Sequence, residues 1–340
     1  MPPPLSTIQQ VKGTANALYC QSGAGTLAGI MTKARTLLAL LSLVFLLPAG
    51  PHTTAQAAEK LTLLFSPTTG LTPSYIAKDH GIFEKHGLDV DLVLLTNQGA
   101  VIQALVGGSA QIVTPSALAV IQASDQGIDT VFVGSTSMSP SKSRSGIFVT
   151  NGSNLHTAKD LIGKKIGVPS LNTLIHVIAR RWLEIEGVDY NKVNFAEIGF
   201  QQMYDALNAG IVDSVSAIDP YYGKLEQIGY VVGSPDESLP KNTLTSVYAS
   251  MRDWTESHKQ TVAAFRQSLQ EAIDYINTHD AEARAAIVKY TKQPAPVVAA
   301  TPLPDLKVTV HPEQVQFFID VAQHQGLIKS SPDAAKMIAP

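Results

Sequence analysis

The sequence predicts an α/β protein whose strands form largely parallel sheets with helices on both faces. From Leu61 to about Gly229, short apolar runs alternate with segments whose apolar residues recur at helical spacing. After about Thr245 the pattern becomes almost wholly helical, which leaves the later helices to cover sheets already formed. The stretch is also too long for one sheet, so two lobes are expected, with the C-terminal helices packed back on the first.

The elements follow in order. LTLLF (61–65) reads as a strand and PSYIAKDHGIFEKHG (73–87) as helical. LDVDLVLL (88–95) is a strand, AVIQALVGG (100–108) a helix closed by its glycines, and AQIVT (110–114) a strand before the helical SALAVIQASDQG. TVFVGS (130–135) and GIFVT (146–150) are strands on either side of a polar loop. AKDLIGKKIGVPS leads into a long helix from about Asn172 to Glu186, in which Trp182 falls on the apolar stripe. KVNFAEIG (192–199), QQMYDALNAG (201–210), SVSAID (214–219) and KLEQIG (224–229) continue the alternation. ESHKQTVAAFRQSLQEAIDYINTH (256–279) places Val262, Phe265, Leu269, Ile273 and Ile276 on one stripe. DAEARAAIVKYT and PEQVQFFIDVAQHQG follow, separated by the proline-rich connection 292–305. The polar segments 139–145 and 234–243 are the expected crossings, giving lobe I as 58–145 with 244–340 and lobe II as 146–243.

The beginning of the chain has its own logic. Residues 1–30 carry no periodicity and are read as an upstream extension of a start at Met31. From there Lys33 and Arg35, an apolar run from Leu37 to Leu47, Pro48 and then Ala55-Gln56-Ala57 follow the order of a secretory signal peptide, 31–57, with cleavage after Ala57. The lone cysteine, Cys20, precedes that point, so the exported chain is expected to have no disulfide, cysteine nucleophile or thiolate metal site. A net charge of −3 gives no reason to expect nucleic acid. The histidines show no H-E-x-x-H spacing, and no G-x-S-x-G or P-loop occurs, so neither metal nor other cofactor is expected.

At five predicted helix starts a polar residue precedes a proline: Thr72-Pro73, Thr114-Pro115, Asp219-Pro220, His311-Pro312 and Ser331-Pro332. Each reads as a helix cap with proline at the first helical position. Thr72, Thr114 and the Ser170–Thr173 turn also follow strand carboxyl ends, where ligands bind in open parallel sheets and where helix N–H groups suit a polar acceptor or anion.

The ordered set PSYIAKDHGIFEKHGLDVDLV, AVIQALVGGSAQIV, AKDLIGKKIGVPS and DALNAGIVDSVSAIDP resembles the nitrate/sulfonate/taurine-type solute-binding proteins of ABC importers, over essentially residues 60–290. The resemblance implies a two-lobed periplasmic-binding-protein fold of the type II kind, closing on a small molecule and docking on permease subunits in the inner membrane. It implies ligand contacts from Ser66–Pro73 (Ser66, Thr69 and Thr72), from Thr114 and Ser116, from Ser135–Ser139 (Ser139), and from the turn after GKKIGVP (Asn172 and Thr173). Sulfonate-type members carry a Gly-Ser-Thr-like turn where this chain has Leu171-Asn172-Thr173. Loss of that glycine argues against taurine or an alkanesulfonate and for a larger or amide-recognised ligand.

Two further features have competing readings. Lys142 and Arg144 suit a ligand carboxylate, against a solvated hinge loop, which is preferred. Tyr221 and Tyr222 suit stacking on a flat ligand, against core packing. The expectation is a periplasmic, monomeric binding protein for a sulfonate, nitrate, carboxylate or pyrimidine-like molecule. The alternative is an exported enzyme on the same scaffold, for which no nucleophile–base pair is evident.

Overall fold

The computed structural model describes residues 58–95, 100–139, 144–219 and 221–340. The expected extension and leader, Cys20, Lys142, Pro220 and the side chain of Ser139 lie outside what is described. Among the described residues no helix is long and apolar enough to cross a membrane.

The strands are β1 (Glu59–Phe65), β2 (Leu88–Leu94), β3 (Ile112–Val113), β4 (Thr130–Ser139), β5 (Ser145–Thr150), β6 (Lys165–Val168), β7 (Asn194–Glu197), β8 (Ser214–Ile218), β9 (Gly229–Gly233) and β10 (Thr243–Met251). They form two five-stranded sheets, ordered β2-β1-β3-β10-β4 and β7-β6-β8-β5-β9. In the first, β1 runs parallel to β2 and β3, and β10 antiparallel to β3 and β4. In the second, β6 runs parallel to β7 and β8, and β5 antiparallel to β8 and β9. The largely parallel expectation therefore holds with one reversed strand in each sheet, the one that follows each crossing.

The helices are α1 (Thr72–Asp79), α2 (Ile82–Lys85), α3 (Val101–Val106), α4 (Ala117–Asp125), α5 (Leu174–Ile185), α6 (Phe200–Asn208), α7 (Tyr222–Leu225), α8 (Arg252–Ser257), α9 (Lys259–Ile276), α10 (Asp280–Thr291), α11 (Ala295–Ala300) and α12 (Pro312–His324). Both faces of each sheet are apolar, as strands under helical layers require. Leu63 and Ile112 pack with α1, α2, α9 and α10, and Val113 packs on the other face with α4 and α12. The predicted stripe of α9 is buried there, with Phe265 stacked on Phe83 at 5.7 Å. In the second sheet Ile147 packs toward α5 and its neighbour Phe148 toward α6 and α7. Trp182 of α5 is core, as its periodicity indicates.

Three elements differ from expectation. Residues 243–251 lie largely in the region expected to be helical and instead form β10, inside the first sheet. Its Thr243, Thr245, Val247 and Tyr248 favour extended backbone, and Ser250 hides its polarity by donating to Gln111 O at 2.7 Å. The proline-rich connection contains the short helix α11. Ser331 caps nothing: a turn follows, in which Asp333 accepts the Ala335 N–H.

Candidate functional site

The carboxyl ends of β1, β3 and β4 share one edge of the first sheet, and the reversed β10 begins there: Thr243 pairs with Ser139. That edge carries a cluster of hydroxyls. The Ser66 N–H donates to Thr114 Oγ1 at 3.1 Å, tying the loop after β1 to the loop after β3. Thr136 Oγ1 donates to Ser246 O at 2.9 Å, and Ser246 Oγ donates to Pro115 O at 3.2 Å. Thr245 Oγ1 donates to Ser137 O at 3.0 Å and lies 2.7 Å from Ser137 Oγ, which donates to it in turn. Gly70 lets the first loop lie directly on β4, since a Cβ there would fall 2.8 Å from Ser137 Oγ. The sequence reading names Ser66, Thr69, Thr114 and Ser116 as candidates and brackets Thr136 and Ser137 within Ser135–Ser139; Thr245 and Ser246, which it does not name, are brought to the same edge by the unexpected β10.

The polar–proline pairs behave differently from the capping rule. A short 3₁₀ turn, Thr69–Leu71, runs straight into α1, so Leu71 holds the cap position and the buried Thr72 hydroxyl donates to Thr69 O at 2.6 Å. Thr114 does not cap α4. The chain stays extended to Ser116, whose Oγ accepts the Ala119 N–H at 3.2 Å. Asp219 is not a cap either, because it is spent on Arg144. Only His311 holds the expected cap position, with its N–H donating to Gln314 Oε1 at 2.7 Å.

On the second sheet, the turn after β6 is braced from two sides. Glu197 Oε1, on β7, accepts the Leu171 N–H at 2.8 Å and the Ser170 hydroxyl at 3.0 Å. These bonds, the backbone donor first, hold its carboxyl below the usual carboxylate range. His176 Nδ1 accepts the Asn172 N–H at 2.8 Å, and Thr173 Oγ1 donates to Ser170 O at 2.8 Å. Thr173 occupies the cap position of α5, yet no side chain caps the helix. The first-turn N–H groups of a 12-residue helix are thus left open at a strand end. Asn172 sits at φ 59°, the left-handed region, and its side chain is exposed. The backbone freedom attributed to the missing glycine is therefore retained, because asparagine tolerates that conformation. The argument against a sulfonate falls with it. Across the cleft, Gln122 Nε2 of α4 donates to Asn172 O at 3.3 Å, bringing the turn to the first sheet's helices.

Arg144 is exposed, as the preferred solvated reading expects, but it is paired and so not a free anion receptor. Its guanidinium meets Asp219 at 3.0 Å and Glu226 at 2.8 Å, and Asp219 raises its pKa further. The same guanidinium lies 4.4 Å over the Tyr222 ring, whose edge contact with Phe148 joins it to the core. Tyr221 is stacked on Phe200 at 5.1 Å, and its hydroxyl accepts from Gln201. Both rings already have partners, so stacking on a ligand would displace one. His176 and Glu197 were not singled out as site residues, since their partners lie on the turn only after folding.

Residues 68–283 match the family model described as NMT1/THI5 like. The chain is 25% identical over 253 residues to the formylaminopyrimidine-binding protein of Halalkalibacterium halodurans, covering 72% of this chain and 75% of that protein. Its fold superposes on the periplasmic aliphatic sulphonate binding protein SsuA from Escherichia coli with a TM-score of 0.70 at 23% identity, over 83% of this chain and 97% of that one. It superposes on the periplasmic nitrate-binding protein NrtA from Synechocystis PCC 6803 with a TM-score of 0.67 at 15% identity, over 82% and 84%.

Proposed function

We propose that this chain, which belongs to the NMT1/THI5-like family, is the exported solute-binding component of an ABC importer. It captures a small polar or anionic organic molecule between its two sheets and presents it to permease subunits. The observation that carries this reading is the open N-terminus of α5, braced by Glu197 and His176 rather than capped, and brought to α4 of the first sheet by the Gln122–Asn172 bond. An acceptor group on the ligand takes the α5 N–H groups, while Asn172, Thr173, Ser66, Thr69 and Ser116 supply polar contacts. The 31–57 leader delivers the chain to the periplasm, and lobes 58–145 with 244–340 and 146–243 move about the two crossings. The protein binds without turnover, as its similarity to a formylaminopyrimidine-binding protein supports.

Thermal unfolding of the purified mature protein against ethanesulfonate, nitrate, benzoate and a formylaminopyrimidine tests this. A ligand at one hundred times its dissociation constant adds about 2.7 kcal/mol, a rise of roughly 5–10 °C. Chemical conversion of the bound molecule would replace binding with catalysis. No shift with any of the four would reject the proposed ligand classes.

A further inference from the structure

We propose that His176 is a positioning residue for the ligand turn: its Nδ1 accepts the Asn172 N–H and holds residues 170–173 in the shape that leaves the α5 N–H groups open. This rests on the α5 N-terminus being the ligand site.

Asn172 occupies the left-handed region, which asparagine tolerates at a modest cost, so the bonds around it decide how firmly the turn is held. The bond that fixes it comes from His176. His176 stands four residues later in the first turn of α5, where helical side chains point back toward the N-terminus. Its Nδ1 lies 2.8 Å from the Asn172 nitrogen, and the residue is 1% exposed. Since the amide can only donate, Nδ1 must be the unprotonated nitrogen and the ring proton sits on Nε2. That Nε2 is buried and has no hydrogen-bond partner among the described residues. The ring thus leaves one polar atom unsatisfied, a cost consistent with the turn depending on the other nitrogen.

The groups facing the ring set its charge. The Phe195 ring of β7 meets it edge-on at 4.4 Å, Arg180 lies one turn further along α5, and Glu197 approaches from β7. Burial is the largest influence and Arg180 adds to it, against an opposing pull from Glu197, so the ring titrates at about 4. It is a neutral acceptor at ordinary pH. A protonated ring has no lone pair at Nδ1, so the turn loses this latch in acid. Glu197 holds Leu171 and His176 holds Asn172, and the helix N–H groups beyond them remain for ligand.

The test begins without ligand, on the purified isotope-labelled protein. A scalar coupling across the hydrogen bond should connect the Asn172 amide nitrogen to His176 Nδ1 at pH 7 and vanish as the ring protonates. A protonated Nδ1, or no coupling, would overturn the proposal. His176→Asn places Oδ1 as many bonds from the backbone as Nδ1, so it keeps an acceptor that does not titrate. Asn172 amide exchange should stay near the wild-type rate in His176→Asn and rise about tenfold or more in His176→Leu. Binding of ethanesulfonate and a formylaminopyrimidine is then compared. For whichever of them binds, His176→Leu should weaken affinity about tenfold, while His176→Asn recovers it and flattens its acid dependence. Wild-type affinity in a folded His176→Leu would refute the positioning role. If the wild type binds neither probe, the sulfonate and formylaminopyrimidine classes fail as ligands, and the coupling and exchange still decide the latch. Should His176→Leu not fold, the coupling and His176→Asn decide it.

Discussion

Gly233, at the end of the edge strand β9, is a position where a single methyl group has a measurable and traceable consequence. A Cβ there would lie 2.1 Å from Trp182 Cζ2 and 2.6 Å from Cε2, where ordinary contact begins near 3.4 Å. The ring or the strand must therefore move by more than an ångström. Trp182 cannot yield easily, because it is packed among Ile147, Val168, Ala179 and Leu183. Gly233→Ala is thus an overpacking change, with an expected cost of about 2–3 kcal/mol. For a chain of this size that is a fall of roughly 4–12 °C in the unfolding midpoint. Scanning fluorimetry measures it, and urea unfolding followed by tryptophan emission supplies the energy. The origin is checked with Trp182→Phe, which removes the far indole atoms that the methyl group strikes. The double variant should lie well above the sum of the two single losses. Strict additivity, or a Gly233→Ala midpoint within about a degree of wild type, would refute a steric origin.

Three further outcomes are expected. Ser116→Ala removes the real cap of α4 and should cost about 1 kcal/mol, whereas the exposed Thr173→Ala should cost less and yet weaken ligand binding more; the reverse ranking would reject the site. Tyr248→Phe strands the buried Ser74 hydroxyl, now 2.7 Å from Tyr248 Oη, at about 1–3 kcal/mol, and adding Ser74→Ala should recover part of that in urea titrations. The neutral, buried His176 ring titrates at about 4 against 6.5 for a free histidine, so the unfolded chain takes the proton first. Stability should be fully present above about pH 6.5 and fall toward pH 4 by on the order of 2 kcal/mol, and His176→Asn should lose that slope; an unchanged slope would count against a buried neutral ring.

The fold class was legible because both faces of each sheet are covered, which writes strands as apolar runs and helices as stripes. β10 was not, because its small polar residues, the half-buried Ser246 and the buried Ser250, interrupt the apolar signal and find their acceptors on distant loops. The strand ends and small polar residues that make up the candidate site were legible. Their partner choices were not: an oxygen beside proline says that a donor will be met, not which one. Thr72 turns back to Thr69, Asp219 goes to Arg144, and Ser116 takes the role expected of Thr114. Asn172 likewise replaces a glycine without losing its backbone conformation, which the residue type alone does not reveal.

The contacts between the two halves decide how a ligand could enter. Val177 of α5 is fully buried in the core between the first sheet and α12, and its carbonyl accepts from Gln325 Nε2 at 3.0 Å. His324 meets Glu184 at 2.8 Å, and Arg181 lies 5.1 Å over the Phe317 ring. Drawing α5 away from α12 would expose a valine, at about 1.5–3 kcal/mol, and break a buried hydrogen bond worth about 1 more. The Gln122–Asn172 bond at the other end of the contact is exposed and long, so it resists little. Opening should therefore pivot about α5 and α12 and lift the 170–173 turn from α4. Hydrogen exchange with and without a bound probe such as ethanesulfonate distinguishes the cases. Protection should rise at 170–176 on binding and stay constant at 318–325. Equal changes at both would show the halves separating as a whole, and the pivot would be wrong.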